Sequence, residues 1–170
     1  YEKGTSKAIV IGVVQGLKNF GYKICGFNAC IDSSVPSGAG VSSSASFELL
    51  IIEIFNALFN NNIILPSEKA KIAQFSESKF FGKACGLLDQ SAIAFGGINL
   101  FDFSNDEIVV KKIDNNLTDL SLVLVDTGGS HADLTDEYVS IPKDMYKVAN
   151  SFGKQRLCEI DLKTFLDGYK

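Results

Sequence analysis

An α+β fold is predicted, on three observations. Up to Gly96-Gly97 the chain carries apolar residues at helical spacing, in segments parted by glycine, proline and asparagine. Beyond that pair the rhythm shortens to strand-length apolar runs divided by turn-formers such as Ser104-Asn105-Asp106 and Asp114-Asn115-Asn116. Helical patterns return only towards the carboxy terminus. Helices and strands gathered in separate stretches, rather than alternating, give the α+β class and a domain boundary near Gly96-Gly97.

The elements follow in order. Ser6–Phe20 sets Ala8, Ile9, Gly12, Val13 and Leu17 on one helical face, and Gly21 stands where a left-handed C-cap is expected. Cys25, Phe27, Ala29, Ile31 and Val35 alternate with Gly26, Asn28, Cys30, Asp32 and Ser34, which predicts a strand with one buried face, ending at Pro36. After a glycine- and serine-rich loop, a helix to about Phe59 is apolar nearly all round and is expected to be buried; Asn60-Asn61-Asn62 ends it. Pro66-Ser67-Glu68 opens a helix to about Phe80, with Ser67 as its cap and Glu68 at the positive end of the dipole. Gly82–Gly86 is a loop and Leu87–Phe95 a short helix. Ile98–Phe103, Ile108–Ile113 and Leu120–Val125 read as strands. Thr135–Asn150 and Glu159–Leu166 read as helices, broken at Ser151-Phe152-Gly153.

Bulk properties exclude several classes. The 170 residues, 46% hydrophobic and 21% charged, suit one ordinary domain or parts of two. Net charge is −4 and the basic residues are scattered, so no nucleic-acid surface is expected. Cys25, Cys30, Cys85 and Cys158 lack C-x-x-C spacing and there is a single histidine, which argues against zinc and for reduced thiols in the cytoplasm. The apolar run Phe47–Phe59 is interrupted by Glu48, Glu53 and Asn56, too short and too polar to span a bilayer. The amino terminus shows no basic region followed by a cleavage site, so no signal peptide is read there, and it opens at Tyr1 without a methionine, as a piece of a larger protein would.

Three segments carry candidate chemistry. In Pro36-Ser37-Gly38-Ala39-Gly40-Val41-Ser42-Ser43-Ser44-Ala45-Ser46, small residues lead into a helix start. Glycines let a ligand approach the backbone, and the first helical amides and the dipole suit a phosphate. A serine N-cap before a core helix is the alternative. The loop is not a Walker motif, and no lysine lies between Lys23 and Lys69, so a bound triphosphate would rely on metal and backbone amides. In Cys85-Gly86-Leu87-Leu88-Asp89-Gln90-Ser91, an acid among apolar residues is either a general base orienting a hydroxyl or a turn cap. Asp126–Tyr138 is polar and turn-rich after an apolar strand, either a ligand loop or a strand–helix joint capped by Asp133 or Thr135. Ser76-Glu77-Ser78-Lys79 matches the spacing of serine acylases but lacks their partner motifs, and His131 has no orienting acid beyond the adjacent Asp133; both are rejected as catalytic groups.

Taken in order, Tyr1-x-Lys-Gly4, the Pro36–Ser46 loop, Cys85–Gln90 and His131 through Asp136-Glu137-Tyr138 closely resemble the galactokinases among the GHMP small-molecule kinases. Val41 stands where leucine is usual. The resemblance implies a GHMP kinase fold: the later part of an N-terminal domain like domain 2 of ribosomal protein S5 over residues 1–96, then the start of a ferredoxin-like second domain over 97–170. It implies ATP at Pro36, Ser37, Gly38, Ala39, Gly40, Val41, Ser42, Ser43, Ser44 and Ala45, and Mg²⁺ at Ser44 and Glu77. Asp89 is implied as catalytic carboxylate, with Gly86, Asp89 and Tyr138 at the sugar and Tyr1 near the nucleotide. The implied reaction is ATP-dependent phosphorylation of galactose at its anomeric hydroxyl. A sugar sensor acting on transcription, or a kinase for N-acetylgalactosamine, are the alternatives. The family's amino-terminal Gly-Arg-x-Asn-Leu-x-Gly-Glu-His and its carboxy-terminal glycine-rich motif are not in the sequence, so a central segment is expected, inactive alone and prone to self-association through uncovered apolar surface.

Overall fold

The computed structural model describes residues 1–36, 40–105, 107–114, 120–121, 123–125 and 135–168, and for 135–139 the backbone alone. The described residues form two compact units. One comprises Tyr1–Leu100 with the described part of 111–125, the other Phe101–Val110 with 135–168.

The first unit is a helical packing. Helix α1 (Ser6–Asn19) is capped by Thr5, whose Oγ1 accepts from the Ala8 amide at 3.2 Å. It ends as the sequence predicts: Gly21 takes φ +80°, its amide donates to Lys18 and the Tyr22 amide reaches back to Leu17, which closes the last turn. Helix α2 (Ser43–Phe59) buries Ala45, Glu48, Leu49, Ile51, Ile52, Phe55 and Asn56. It is not sheathed all round, because Leu50 and Leu58 are exposed. Its exit is set by asparagines. The Asn56 side-chain oxygen Oδ1 accepts from the Ile64 amide, and Asn61 and Asn62 both take left-handed backbone.

Helix α3 (Pro66–Phe75) starts two residues earlier than a Ser67 cap requires. Pro66 holds the first helical position, where its missing N–H costs nothing. Glu68 supplies the cap by accepting from the Leu65 amide at 3.0 Å. The helix then widens into a π-helical turn over Ser76–Phe81, ended by Gly82 at φ +94°, where the Gly82 and Lys83 amides both donate to the Glu77 carbonyl. Helix α1 lies against α3 and this turn because it has no side chain in the way. A Cβ at Gly12 would sit 2.5 Å from Ser76 Oγ, and one at Gly16 would sit 2.9 Å from Ile72 Cγ2. Helix α4 (Leu88–Phe95) packs on α2 and α3. Ile9, Val13, Leu17, Leu49, Ile52, Phe55, Ile64 and Ile72 form the apolar core.

Strands β1 (Asn99–Asp102) and β2 (Val109–Lys112) pair in a two-stranded sheet, as two of the strand patterns predict. The other two patterns do not form strands. Residues 25–35 form no regular secondary structure, with Ile31 and Val35 exposed, and neither does the described part of 120–125. A strand exists only by pairing, and among the described residues neither segment has a neighbouring strand.

The second unit contains α5 (Thr135–Ser151), a 3₁₀ turn (Leu157–Glu159) and α6 (Leu162–Gly168). The predicted break after α5 is made at Gly153, φ +67°. Asp161 caps α6 through the Thr164 amide and hydroxyl, which hold its carboxyl below the usual range. No described helix is long and apolar enough to cross a membrane.

Candidate active site

The end of the glycine–serine loop has an unusual backbone. Gly40 takes φ +71°, and Ser42, immediately before α2, takes φ +59° and ψ +40°. A left-handed serine costs roughly 1–2 kcal/mol. No side chain caps α2, so the serine N-cap expected as the alternative is not formed. Among the described residues no side chain takes its first amides. Ser42 and Ser43 are half-buried, and Ser37, Gly38 and Ala39 lie outside the described residues.

Ser44 turns inward. Its Oγ donates to Glu77 Oε1 at 2.8 Å. Glu77 is 2% exposed, on the π-helical turn, where one extra residue per turn redirects side chains relative to α3. Lys83 Nζ lies 3.2 Å from the same oxygen, and Gln90 Nε2 donates to Oε2 at 2.6 Å. One buried carboxylate therefore joins the start of α2, the loop after the π-helical turn and the first turn of α4. Ser44 lies 33 residues before Glu77, while Lys83 and Gln90 follow it by 6 and 13. A buried charge held this way is stable because both oxygens are hydrogen-bonded and a cation stands beside it.

A second buried acid stands one turn beyond Ser44. Glu48 is fully buried, and among the described residues neither carboxyl oxygen has a hydrogen-bond partner. Burial pushes its pKa from an ordinary 4.5 up to about 9, and the Glu77 charge pushes the same way, against smaller pulls from Gln90 and Lys83. Cys85 is pushed up to about 12, first by burial and then by Glu77, so its thiol is unreactive.

Asp89 sits in the first turn of α4, exposed and without a side-chain hydrogen bond among the described residues. Its neighbour Gln90 ties that turn to Glu77. Gly86 is exposed with open space where a side chain would be. Tyr1 stacks on Phe80 of the π-helical turn at 5.5 Å between ring centres. His131, the rest of the Asp126–Leu134 loop and the Tyr138 side chain lie outside the described residues. Ser76, rejected as a nucleophile, commits its hydroxyl to the Ile9 carbonyl at 2.8 Å. Sequence reasoning missed Glu48 and Lys83. The interruption of an apolar helix, which Glu48 shares with Glu53 and Asn56, was the available signal for Glu48.

The family model described as GHMP kinases N terminal domain matches residues 8–97. The chain belongs to the GHMP kinases. It is 35% identical over 154 residues to a galactokinase from Pyrococcus furiosus, covering 91% of this chain and 44% of that one. It is 30% identical over 161 residues to a galactokinase from Clostridium tetani, covering 91% and 41%. Its fold is similar to that in the crystal structure of Lactococcus lactis galactokinase complexed with galactose, with a TM-score of 0.75 and 22% identity over 99% of this chain and 45% of that one. The GHMP kinase fold and the α+β class are thus as the sequence predicts, and the chain spans under half the length of these relatives.

Proposed function

We propose that the protein carrying this chain is an ATP-dependent kinase that phosphorylates galactose at its anomeric hydroxyl, with residues 1–96 ending its first domain and 97–170 opening its second. The reading is supported above all by the Ser44–Glu77–Gln90 line of hydrogen bonds. It brings the end of a phosphate-type loop and the helix turn bearing the exposed Asp89 carboxylate into one connected structure. Sequence similarity to galactokinases supports the choice of sugar.

In this reading the residues from Pro36 to Ala45 hold the ATP phosphates through backbone amides and serine hydroxyls. Asp89 accepts the proton of the anomeric hydroxyl as its oxygen attacks the γ-phosphorus. The bond from that phosphorus to the bridging β–γ oxygen breaks, and ADP leaves. Gly86 gives the sugar close access to the backbone, and Tyr138 is assigned a sugar contact. Phosphoryl transfer needs alignment and charge neutralisation more than covalent chemistry. Ser44 and Glu77 would hold Mg²⁺, which supplies that neutralisation when bound. Two hard oxygen donors fit an ion that keeps most of its water and phosphate ligands, and no cluster of three acidic, histidine or cysteine ligands occurs among the described residues.

Because the chain spans under half of each relative, the activity is proposed for the full-length protein, and the 170 residues alone are expected to turn over little. The test is Asp89→Asn in the full-length protein, assayed with ATP against galactose and N-acetylgalactosamine. We expect turnover to fall by roughly 10²–10⁴-fold with the fold unchanged by circular dichroism. Undiminished turnover would remove Asp89 from its role. Binding of galactose without turnover in the wild-type protein would favour a sensor.

A further inference from the structure

Helix α4 is only 8 residues long and opens without a side-chain cap, yet its first turn carries Asp89. Ile93 and Ala94 pack against the apolar core, and the helix lies on α2 and α3. Apolar contacts of this kind are non-directional, so they resist separation but leave a short helix free to turn about its axis. Successive helical residues point about 100° apart, so a modest rotation would carry the Asp89 carboxylate away from a fixed target. A directional contact is needed to set it.

The polar side chains of α4 are Asp89, Gln90 and Ser91. Asp89 is exposed, and Ser91 Oγ, though fully buried, has no partner among the described residues. Among those residues Gln90 alone of the three reaches another element. It is fully buried, its Nε2 donates to Glu77 Oε2 at 2.6 Å, and the same nitrogen lies 3.8 Å from Cys85 Sγ in the loop that leads into the helix. That loop is itself tied to α3, because Gln74 Nε2 donates to the Cys85 carbonyl at 3.2 Å. The Gln90 bond asks of Glu77 only an acceptor oxygen. It falls on Oε2, whereas Ser44 and Lys83 take Oε1, so it stands whatever Oε1 holds and whatever charge the carboxyl carries. Asp89 and Gln90 are adjacent, so holding Gln90 inward keeps Asp89 at the surface of the site.

We propose that Gln90 is a positioning residue: by holding the first turn of α4 against Glu77, it sets where the Asp89 carboxylate points. A misplacement of about 1 Å costs a reaction on the order of 10²-fold, and this is the scale on which such an anchor acts. The part Asp89 plays in phosphoryl transfer rests on the function proposed above; the anchoring of α4 does not.

The two are tested apart in the full-length protein with Gln90→Met, which keeps the length of the side chain and removes its donor. The first readout is the backbone order parameter of Asp89, from NMR relaxation on ¹⁵N-labelled protein. It should be about 0.85 in wild type and fall toward about 0.6 in the variant, while that of Leu17 in α1 stays near its wild-type value. An unchanged Asp89 value overturns the anchor. If Gln90→Met does not fold, Gln90→Asn takes its place, since it keeps the amide but is one methylene too short to reach Glu77. If neither folds, wild type decides: an Asp89 value near about 0.85 supports the anchor and one below about 0.6 overturns it. The second readout is turnover. Gln90→Met should lower kcat about tenfold or more with little change in KM for ATP. In an Asp89→Asn background it should lower the residual turnover by less than about twofold, because the carboxylate it orients is gone. The same factor in both backgrounds would mark a merely structural residue and overturn the proposal. A wild-type protein that phosphorylates no sugar would sink the proposed activity, while the order parameters still judged the anchor.

Discussion

Two zones of the α1–α4 unit are equally dry and differ in what holds them. Leu17, Ile52, Phe55 and Ile72 are at most 3% exposed, and so are Glu48, Ser76, Glu77, Gln90 and Ser91. The first set is held by burial and close packing, which are non-directional. In the second, Ser76, Glu77 and Gln90 are held by hydrogen bonds whose geometry is specified atom by atom, while Glu48 and Ser91 keep buried oxygens without a partner among the described residues. Ser44, Lys83 and Gln90 converge on one carboxylate, and Ser76 pins the start of the π-helical turn to α1. An apolar zone supplies stability and tolerates exchange of like for like. A polar zone this dry is costly unless complete, and it is where the candidate active site is built.

The strongest way to break the comparison is in the apolar zone. Ile52 is fully buried at the centre of α2, and Ile52→Ala should cost about 2–5 kcal/mol in urea unfolding, through lost transfer energy and the cavity left behind. A cost below about 1 kcal/mol would mean the cluster collapses around the gap and is not the main source of stability.

Gly12→Ala probes whether the zones are coupled. The added Cβ would meet Ser76 Oγ at 2.5 Å and Ser76 Cα at 2.8 Å, so α1 or the turn must move. We expect a loss of about 1–3 kcal/mol, and an effect on the turn that carries Glu77 although no hydrogen-bonding group has been changed. Faster exchange of the Gln90 side-chain amide would register that effect. An unchanged unfolding midpoint with unchanged exchange would show that the turn yields freely.

The apolar zone was the more legible in sequence, because helical spacing and punctuation are local. The Ala8–Leu17 face, the Gly21 stop and the asparagine exit of α2 could all be read from neighbours. What failed needed partners at a distance. The alternation in 25–35 and the run at 120–125 specify strand-compatible chain, yet nothing local supplies the second strand. Ser67 failed as a cap because the adjacent Pro66 already begins the helix and Glu68 reaches the free amide. In the polar zone, the serine loop with Ser44 and the acid Asp89 stood out from the residues themselves, whereas Glu77 emerged only from resemblance to a kinase family. That Ser76–Phe81 widens into a π-helical turn, and so aims Glu77 at Ser44, has no signature of the kind used for ordinary helices. Glu48 was visible only as an interruption of an apolar run, and its burial against Gln90 depends on a helix forty residues away.

The finest test of the difference between the zones is the pH dependence of stability, since only the polar zone contains a buried group whose charge is disfavoured. Glu48 titrates near 4.5 when unfolded and about 9 when folded, with burial and then Glu77 raising it and Gln90 and Lys83 opposing. Below the lower value both states hold the proton and the group contributes no slope. Between the two the folded state keeps a proton that the unfolded state has released, so stability falls as pH rises, by at most about 1.4 kcal/mol per unit. Above the upper value both states are ionised and the slope vanishes again. Glu48→Gln cannot ionise, so the difference in unfolding free energy between it and wild type should widen steadily from about pH 5 to pH 8 in its favour. Parallel curves over that range would mean that Glu48 is no more protonated in the folded protein than in the unfolded chain, and the polar zone would then be wetter than its burial indicates.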